Sequence, residues 1–254
     1  GNPPLRVTDA PGGGMLNSVG LPGPGVGEWI SDDLPDLEAH GARVIASVWG
    51  HSVDEYEAAA AALAPVAGRL VAVEVNLSCP NVKDHAHVFA HDCAPTAAAT
   101  AAVVGVLGSH LPVFAKLSPN VTDLAAIAGA ALGAGATGLT LVNTVRGLVI
   151  DAATRRARLG AGTGGLSGPP IKPIALRCVR EVSLAHPGIP IIGTGGVSCG
   201  EDAVEMLLAG AHAVGVGTAT FADPRAPLRI AEELRTWCAR NGVARIRDLT
   251  GGLR

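Results

Sequence analysis

Six short, nearly continuous apolar runs recur along the chain, at residues 43–48, 70–76, 112–117, 138–142, 189–193 and 213–216. Unbroken apolar character is what a strand buried on both faces requires, whereas a strand with one wet face alternates. Between the runs lie longer Ala- and Leu-rich stretches at 54–63, 96–107, 122–132, 171–185, 201–208 and 225–238, each long enough for about two to four helical turns. Strand and helix in strict rotation predict an α/β architecture around a parallel sheet. Two of the units resemble each other: AGATGLTLVNT from Ala134 and AGAHAVGVGTA from Ala209 share a helix-ending Ala-Gly-Ala, a strand and a polar exit. Repeated units favour a closed barrel over an open sheet, so the expected fold is a (β/α)8 TIM barrel.

Two segments break the rotation. Residues 1–21 are rich in Gly and Pro and read as loop or hairpin, so the first two barrel strands are expected upstream of residue 1. Residues 145–168 contain RGLVIDAATRRARLG, two short apolar runs around an Asp/Thr/Arg turn, which predicts a β-hairpin inserted after the strand at 138–142. The chain is thus expected to be one barrel domain, residues 1–254, incomplete at its amino end.

Composition narrows the picture. Of 254 residues, 48% are hydrophobic and 16% charged, which suits a compact, well-buried protein. A net charge of −3 offers no electrostatic footprint for nucleic acid, and there is neither a polybasic segment nor an apolar run of membrane-spanning length. The start, GNPPLRVTDAPGGG, lacks both an initiator Met and a signal-peptide layout. Five cysteines without a Cys-x-x-Cys pair form neither a disulfide framework nor a four-thiolate zinc site, and point to a reducing cytoplasm.

In (β/α) barrels the loops at the carboxyl ends of the strands build the active site. Here those exits read SVWG from Ser47, NLSCPN from Asn76, KLSPN from Lys116, Asn143-Thr144, Thr194-Gly195-Gly196 and Gly217-Thr218. The last two are Gly-rich and suit a phosphate, because glycine lets backbone N–H groups approach an anion closely; ordinary tight turns are the alternative. Lys116 ends a buried strand and needs a partner for its charge, either an anionic cofactor ring or a carboxylate such as Glu74. In VNLSCPNV two Asn flank Cys79 on an exit stiffened by Pro80, an arrangement of amides around a small planar ligand with a thiol beside it; a small buried hydrophobe is the plainer role for such a Cys.

VNLSCPNV, FAKLSPNVTD, LTLVNTVRGLVIDAATR, GTGGLSGPPIKPIAL, PIIGTGGV and AVGVGTATFADP together resemble the class 1 dihydroorotate dehydrogenases, with matching motifs from MLNSVGL at Met15 to FADP at Pro224. The hairpin and GTGGLSGP are most similar to the branch that works with a separate iron–sulfur FAD subunit and NAD. The resemblance implies an FMN-linked barrel that oxidises dihydroorotate to orotate in pyrimidine (UMP) biosynthesis, a homodimer in the cytoplasm, and an electron-transfer partner. It makes Cys79 the base that removes a proton from C5 of dihydroorotate. It assigns Asn17, Ser18, Val19, Gly20, Leu21, Asn76, Asn81, Asn143 and Thr144 to the substrate. Ser47, Asn76, Lys116, Val142, Gly168, Gly195, Gly196, Gly217 and Thr218 match positions around FMN. Where the family carries Asn near the flavin, this chain has Ser47, whose shorter side chain is expected to reach its partner through water. The family's early flavin-contacting Ser and substrate-contacting Lys lie in strands this sequence does not contain.

The stretch DHAHVFAHDC, with His85, His87, His91 and Cys93, holds zinc-type ligands at a spacing that fits no standard site. It follows Asn81, where the family has a mobile cover over the substrate; a cover is expected and no metal, with an inert surface loop as the alternative. For the whole protein two other functions stay open: an FMN barrel acting on another dihydropyrimidine, and a catalytically silent barrel serving as a partner protein.

Overall fold

The computed structural model describes residues 1–78 and 89–254. The chain opens with an antiparallel hairpin, β1 (Val7–Ala10) and β2 (Gly14–Asn17). A broken helix follows, α1 (Val26–Glu28) running through a π-turn at Trp29–Asp33 into α2 (Leu34–Ala39). The βα rotation then begins: β3 (Ile45–Val48), α3 (Val53–Leu63), β4 (Ala72–Asn76), α4 (Cys93–Leu107), β5 (Val113–Leu117), α5 (Leu124–Gly133) and β6 (Gly138–Leu141). Four short strands interrupt it, β7 (Val145–Gly147), β8 (Ile150–Asp151), β9 (Arg156–Ala157) and β10 (Gly164–Ser167). It resumes with α6 (Lys172–Ala185), β11 (Ile191–Thr194), α7 (Gly200–Ala209), β12 (Ala213–Gly215), α8 (Ala219–Ala222) and α9 (Ala226–Arg240).

The strands β3, β4, β5, β6, β11 and β12 form one sheet in that order, and every neighbouring pair is parallel. These are the six strands expected from the apolar runs, each within two residues at both ends. Their pleat sorts side chains by alternation. Val73, Val75, Val113, Ala115, Leu117, Leu139, Leu141 and Ile191 are buried in the same core as Leu63, Val103, Leu107, Ala128 and Val179 from the helices. The alternate positions Glu74, Asn76, Phe114, Lys116, Ile192 and Thr194 belong to the opposite face and are only half-buried. That face turns polar toward the carboxyl ends, where Asn76, Lys116 and Thr140 stand side by side in register. Side-chain caps fix two of the loops there: Ser52 accepts from Glu55 N at 3.2 Å at the start of α3, and Asp123 from Ala126 N at 2.9 Å at the start of α5.

A second, antiparallel sheet in the order β1-β2-β10-β7 sits beside these exits. The expected inserted hairpin is present as β8 and β9. Around it β7 and β10 do more than predicted, because β10 joins the inserted segment to the amino-terminal hairpin through β2. Only glycine fits at one point of that junction, since a Cβ on Gly164 would stand 2.4 Å from the Asn17 carbonyl oxygen.

Candidate functional site

A cavity of about 400 Å³ opens where β5, β6, β11 and β12 end. Each exit adds to its wall: Lys116 from β5, Val142 to Thr144 beyond β6, Thr194 to Ser198 beyond β11, and Gly217 to Ala219 beyond β12. The second sheet closes another side with Gly13, Ser167 and Gly168, and α9 contributes Arg229 at the rim beside Asp223.

Of the residues singled out in the sequence, the cavity brings together Lys116, Val142, Asn143, Thr144, Gly168, Gly195, Gly196, Gly217 and Thr218. Asn76 is set one strand away, in register with Lys116, and its carbonyl accepts from the Tyr56 hydroxyl at 2.9 Å. Asn17 lies on β2, where its amide donates to the Gly165 carbonyl at 3.3 Å. Ser18 is buried, and its hydroxyl has no hydrogen-bond partner among the described residues. Val19, Gly20 and Leu21 are half-buried in the loop that follows β2. Ser47 lies elsewhere, on a second cavity of about 370 Å³ between the end strand β3 and Trp29, and its hydroxyl donates to Glu74 at 2.9 Å. Glu74, the alternative partner foreseen for Lys116, is therefore engaged from the other side. Cys79, Asn81, His85 and His87 lie outside the described residues; Cys93 is the exposed first residue of α4.

Asn143 is less available than the sequence suggests. Its amide donates to both the carbonyl and the hydroxyl of Ser78, each at 2.9 Å, and its own oxygen accepts from Thr144 N at 2.7 Å. Asn120, given no role from the sequence, ties neighbouring exits together: it donates to the Thr144 carbonyl at 3.0 Å and accepts from Arg146 N at 2.9 Å. A side-chain amide thereby takes the place of a strand partner beside residues 144–146.

The glycine-lined end has the chemistry of an anion site. Gly195 (φ 123°) and Gly196 (φ 80°) adopt backbone that other residues rarely reach, and a Cβ on Gly196 would stand 2.6 Å from the Cβ of Lys172. The loop therefore lies tight against the start of α6. Among the described residues the backbone N–H groups of Gly196, Gly217 and Thr218 meet no backbone acceptor. Three unspent donors in a cavity that Lys116 and Arg229 also line fit a phosphate-bearing cofactor.

Behind the loop, Asp202 accepts from Lys172 Nζ at 2.7 Å, Ser198 N at 2.8 Å, Ser198 Oγ at 2.7 Å and Cys199 N at 3.1 Å. Burial by itself would raise this carboxyl, but the bonds from Lys172, Ser198 and Cys199 outweigh it and hold the group at about 2. A carboxyl depressed below its ordinary 3.8 contributes stability that is fully present above that pH and is lost as pH falls toward about 2. We expect the thermal midpoint of the protein to fall more steeply across that window than the midpoint of Asp202→Asn, as followed by circular dichroism. Parallel curves for the two proteins would sink the idea.

A parallel βα sheet with a cavity across its last strand exits, lined by Lys116 and by glycine-rich loops, is the arrangement of a (β/α)-barrel enzyme. A family model described as dihydroorotate dehydrogenase matches residues 1–237. The chain belongs to the dihydroorotate dehydrogenase family, one of flavin-dependent oxidoreductases. Among similar proteins, a "putative dihydroorotate dehydrogenase A (fumarate)" of Solibacter usitatus is 48% identical over 100% of this chain and 82% of its own length. The "dihydroorotate dehydrogenase B (NAD(+)), catalytic subunit" of Desulforudis audaxviator is 46% identical over 99% of this chain and 80% of its own. That of Geotalea daltonii is 45% identical over 100% and 82%. The crystal structure of DHODH in complex with ferulenol from Eimeria tenella superposes with a TM-score of 0.81 over 99% of this chain and 75% of that one. At 24% identity it speaks for the shared barrel fold alone.

Proposed function

We propose that the protein oxidises dihydroorotate to orotate in pyrimidine (UMP) synthesis, with FMN as the immediate acceptor. The observation that carries this reading is the single cavity in which a cation, polar exits and an unspent N–H cradle converge. FMN, when bound, supplies the acceptor for the hydride that leaves C6. The chain does the rest. Gly195, Gly196, Gly217 and Thr218 hold the phosphate, and Lys116, Val142 and Gly168 face the ring system. The thiolate of Cys79 takes the proton from C5. Asn76, Asn81, Thr144 and the remaining acceptor of Asn143 orient the substrate, with Asn17 and the segment from Ser18 to Leu21 completing its site.

A monophosphate suits the cradle better than a dinucleotide, because Arg229 and Asp223 stand at its rim, joined at 3.0 Å, and no G-x-G-x-x-G fingerprint opens an early helix. Addition of dihydroorotate without oxygen is expected to bleach the visible flavin band, and orotate is expected to compete with it where uracil does not. A flavin that stays oxidised refutes the activity. Competition by uracil equal to that by orotate would instead favour a barrel for another dihydropyrimidine.

We assign the onward electrons to an iron–sulfur FAD subunit that reduces NAD, on the likeness of the hairpin and GTGGLSGP to that branch and the names of the relatives at 45–46% identity. The protein on this reading is a cytoplasmic homodimer bound to that subunit; no described helix is long and apolar enough to cross a membrane. Turnover with fumarate by the purified chain alone would overturn the acceptor.

A further inference from the structure

Asp202 carries more than a helix cap requires. At the third position of α7, an acidic side chain that merely capped the helix would reach back to Cys199 N. Here three further hydrogen bonds lead away from the helix: two to Ser198, on the cavity wall, and one to Lys172. Lys172 in turn begins α6, and its backbone lies directly under the loop, since a Cβ on Gly196 would stand 2.8 Å from Lys172 N. Neither Lys172 nor Asp202 is on the cavity wall. The pair touches the loop from beneath and from behind, and joins α6 to α7 across it.

Such a tie answers a physical need. Two successive glycines in left-handed backbone are the residues with the most conformational freedom to lose, so a loop built from them holds its N–H groups on an anion only if something fixes it. We propose that the Lys172–Asp202 pair is a positioning device that fixes the loop from Gly195 to Ser198 for a flavin phosphate. The proposal rests on the assignment of that loop to the phosphate of FMN. It also sets the sign of an experiment. Removing the negative charge of Asp202 would strengthen phosphate binding if charge alone mattered, whereas release of the loop weakens it.

The test uses the full chain, freed of flavin and titrated separately with FMN and with riboflavin, which lacks the phosphate, while flavin fluorescence is followed. Asp202→Asn is expected to raise the Kd for FMN about ten- to a hundredfold, as loss of hydrogen bonds to a charged group implies, and to leave riboflavin within about twofold. Lys172→Met, which keeps the stem over Gly196, is expected to shift FMN in the same direction. Unchanged or tighter FMN binding by Asp202→Asn, or equal losses for both flavins, overturns the proposal. A wild-type chain that binds riboflavin as tightly as FMN overturns the phosphate assignment itself, and this proposal with it. Should Asp202→Asn fail to fold, Ser198→Ala deletes one bond to the carboxylate and reads the same split at about fivefold.

Discussion

Cys79→Ser is expected to slow flavin reduction by dihydroorotate at least about a hundredfold, the scale on which a positioned base contributes, while FMN content and orotate binding stay near wild type. A thiol with an ordinary pKa of about 8.5 is mostly protonated at neutral pH, so the wild-type rate should climb with pH until the thiolate dominates. A serine hydroxyl is far harder to ionise, and the midpoint of the profile should move upward. The chain leading into residue 79 is firmly held: Ser78 is buried, and its carbonyl and hydroxyl both accept from Asn143. Cys93 is the rival thiol, exposed at the head of α4. Cys93→Ser should leave the pH profile alone. Wild-type reduction by Cys79→Ser together with a slow Cys93→Ser would reverse the assignment.

Gly217→Asp is expected to yield a folded but colourless protein. A side chain at 217 meets nothing within 4 Å, and the backbone there is not left-handed, so the substitution carries little steric cost. What it adds is a carboxylate beside the phosphate. Two like charges at 4 Å repel by about 4 kcal/mol at an effective dielectric of about 20, roughly a thousandfold in affinity. Gly217→Ala separates bulk from charge and should lose much less flavin. The thermal midpoint of the flavin-free protein should be nearly the same for all three. Gly195→Asp is a poorer probe, because φ is 123° and its Cβ would stand 2.9 Å from that of Ala175, so folding and binding would fail together. A Gly217→Asp protein that purifies fully yellow places the phosphate elsewhere.

The parallel strands were legible because burial on both faces leaves a local mark, an apolar run such as 112–117 that needs no knowledge of its partners. In the second sheet β10 leaves none. Gly164–Ser167 reads Gly-Gly-Leu-Ser, without alternation or β-branched residues, and becomes a strand only because β2 lies beside it. The helical turn before β3 was hidden by Gly and Pro, although Pro35 sits harmlessly in the first turn of α2. In the site, strand exits could be read from position, and most of the glycines and polar groups chosen that way surround one cavity. Ser47 was not brought there, since it lies on an end strand and turns to Glu74. Arg229 and Asp202 escaped notice because they are helix residues, and only the tertiary fold carries a helix charge to a strand exit. A lysine at the start of α6 likewise gives no local sign that it will meet Asp202.

The second sheet also sets an order of events. Met15 pairs with Ser167 and Asn17 with Gly165, so the amino-terminal hairpin finds its partner only after more than half of the chain has been made. Closing so large a loop is entropically costly, whereas each βα neighbour in the parallel sheet can be paired over a much shorter span. The hairpin of residues 7–17 is therefore expected to wait for its partner while the neighbouring barrel units assemble, so that the wall of the cavity carrying Gly13 and Gly168 is finished late.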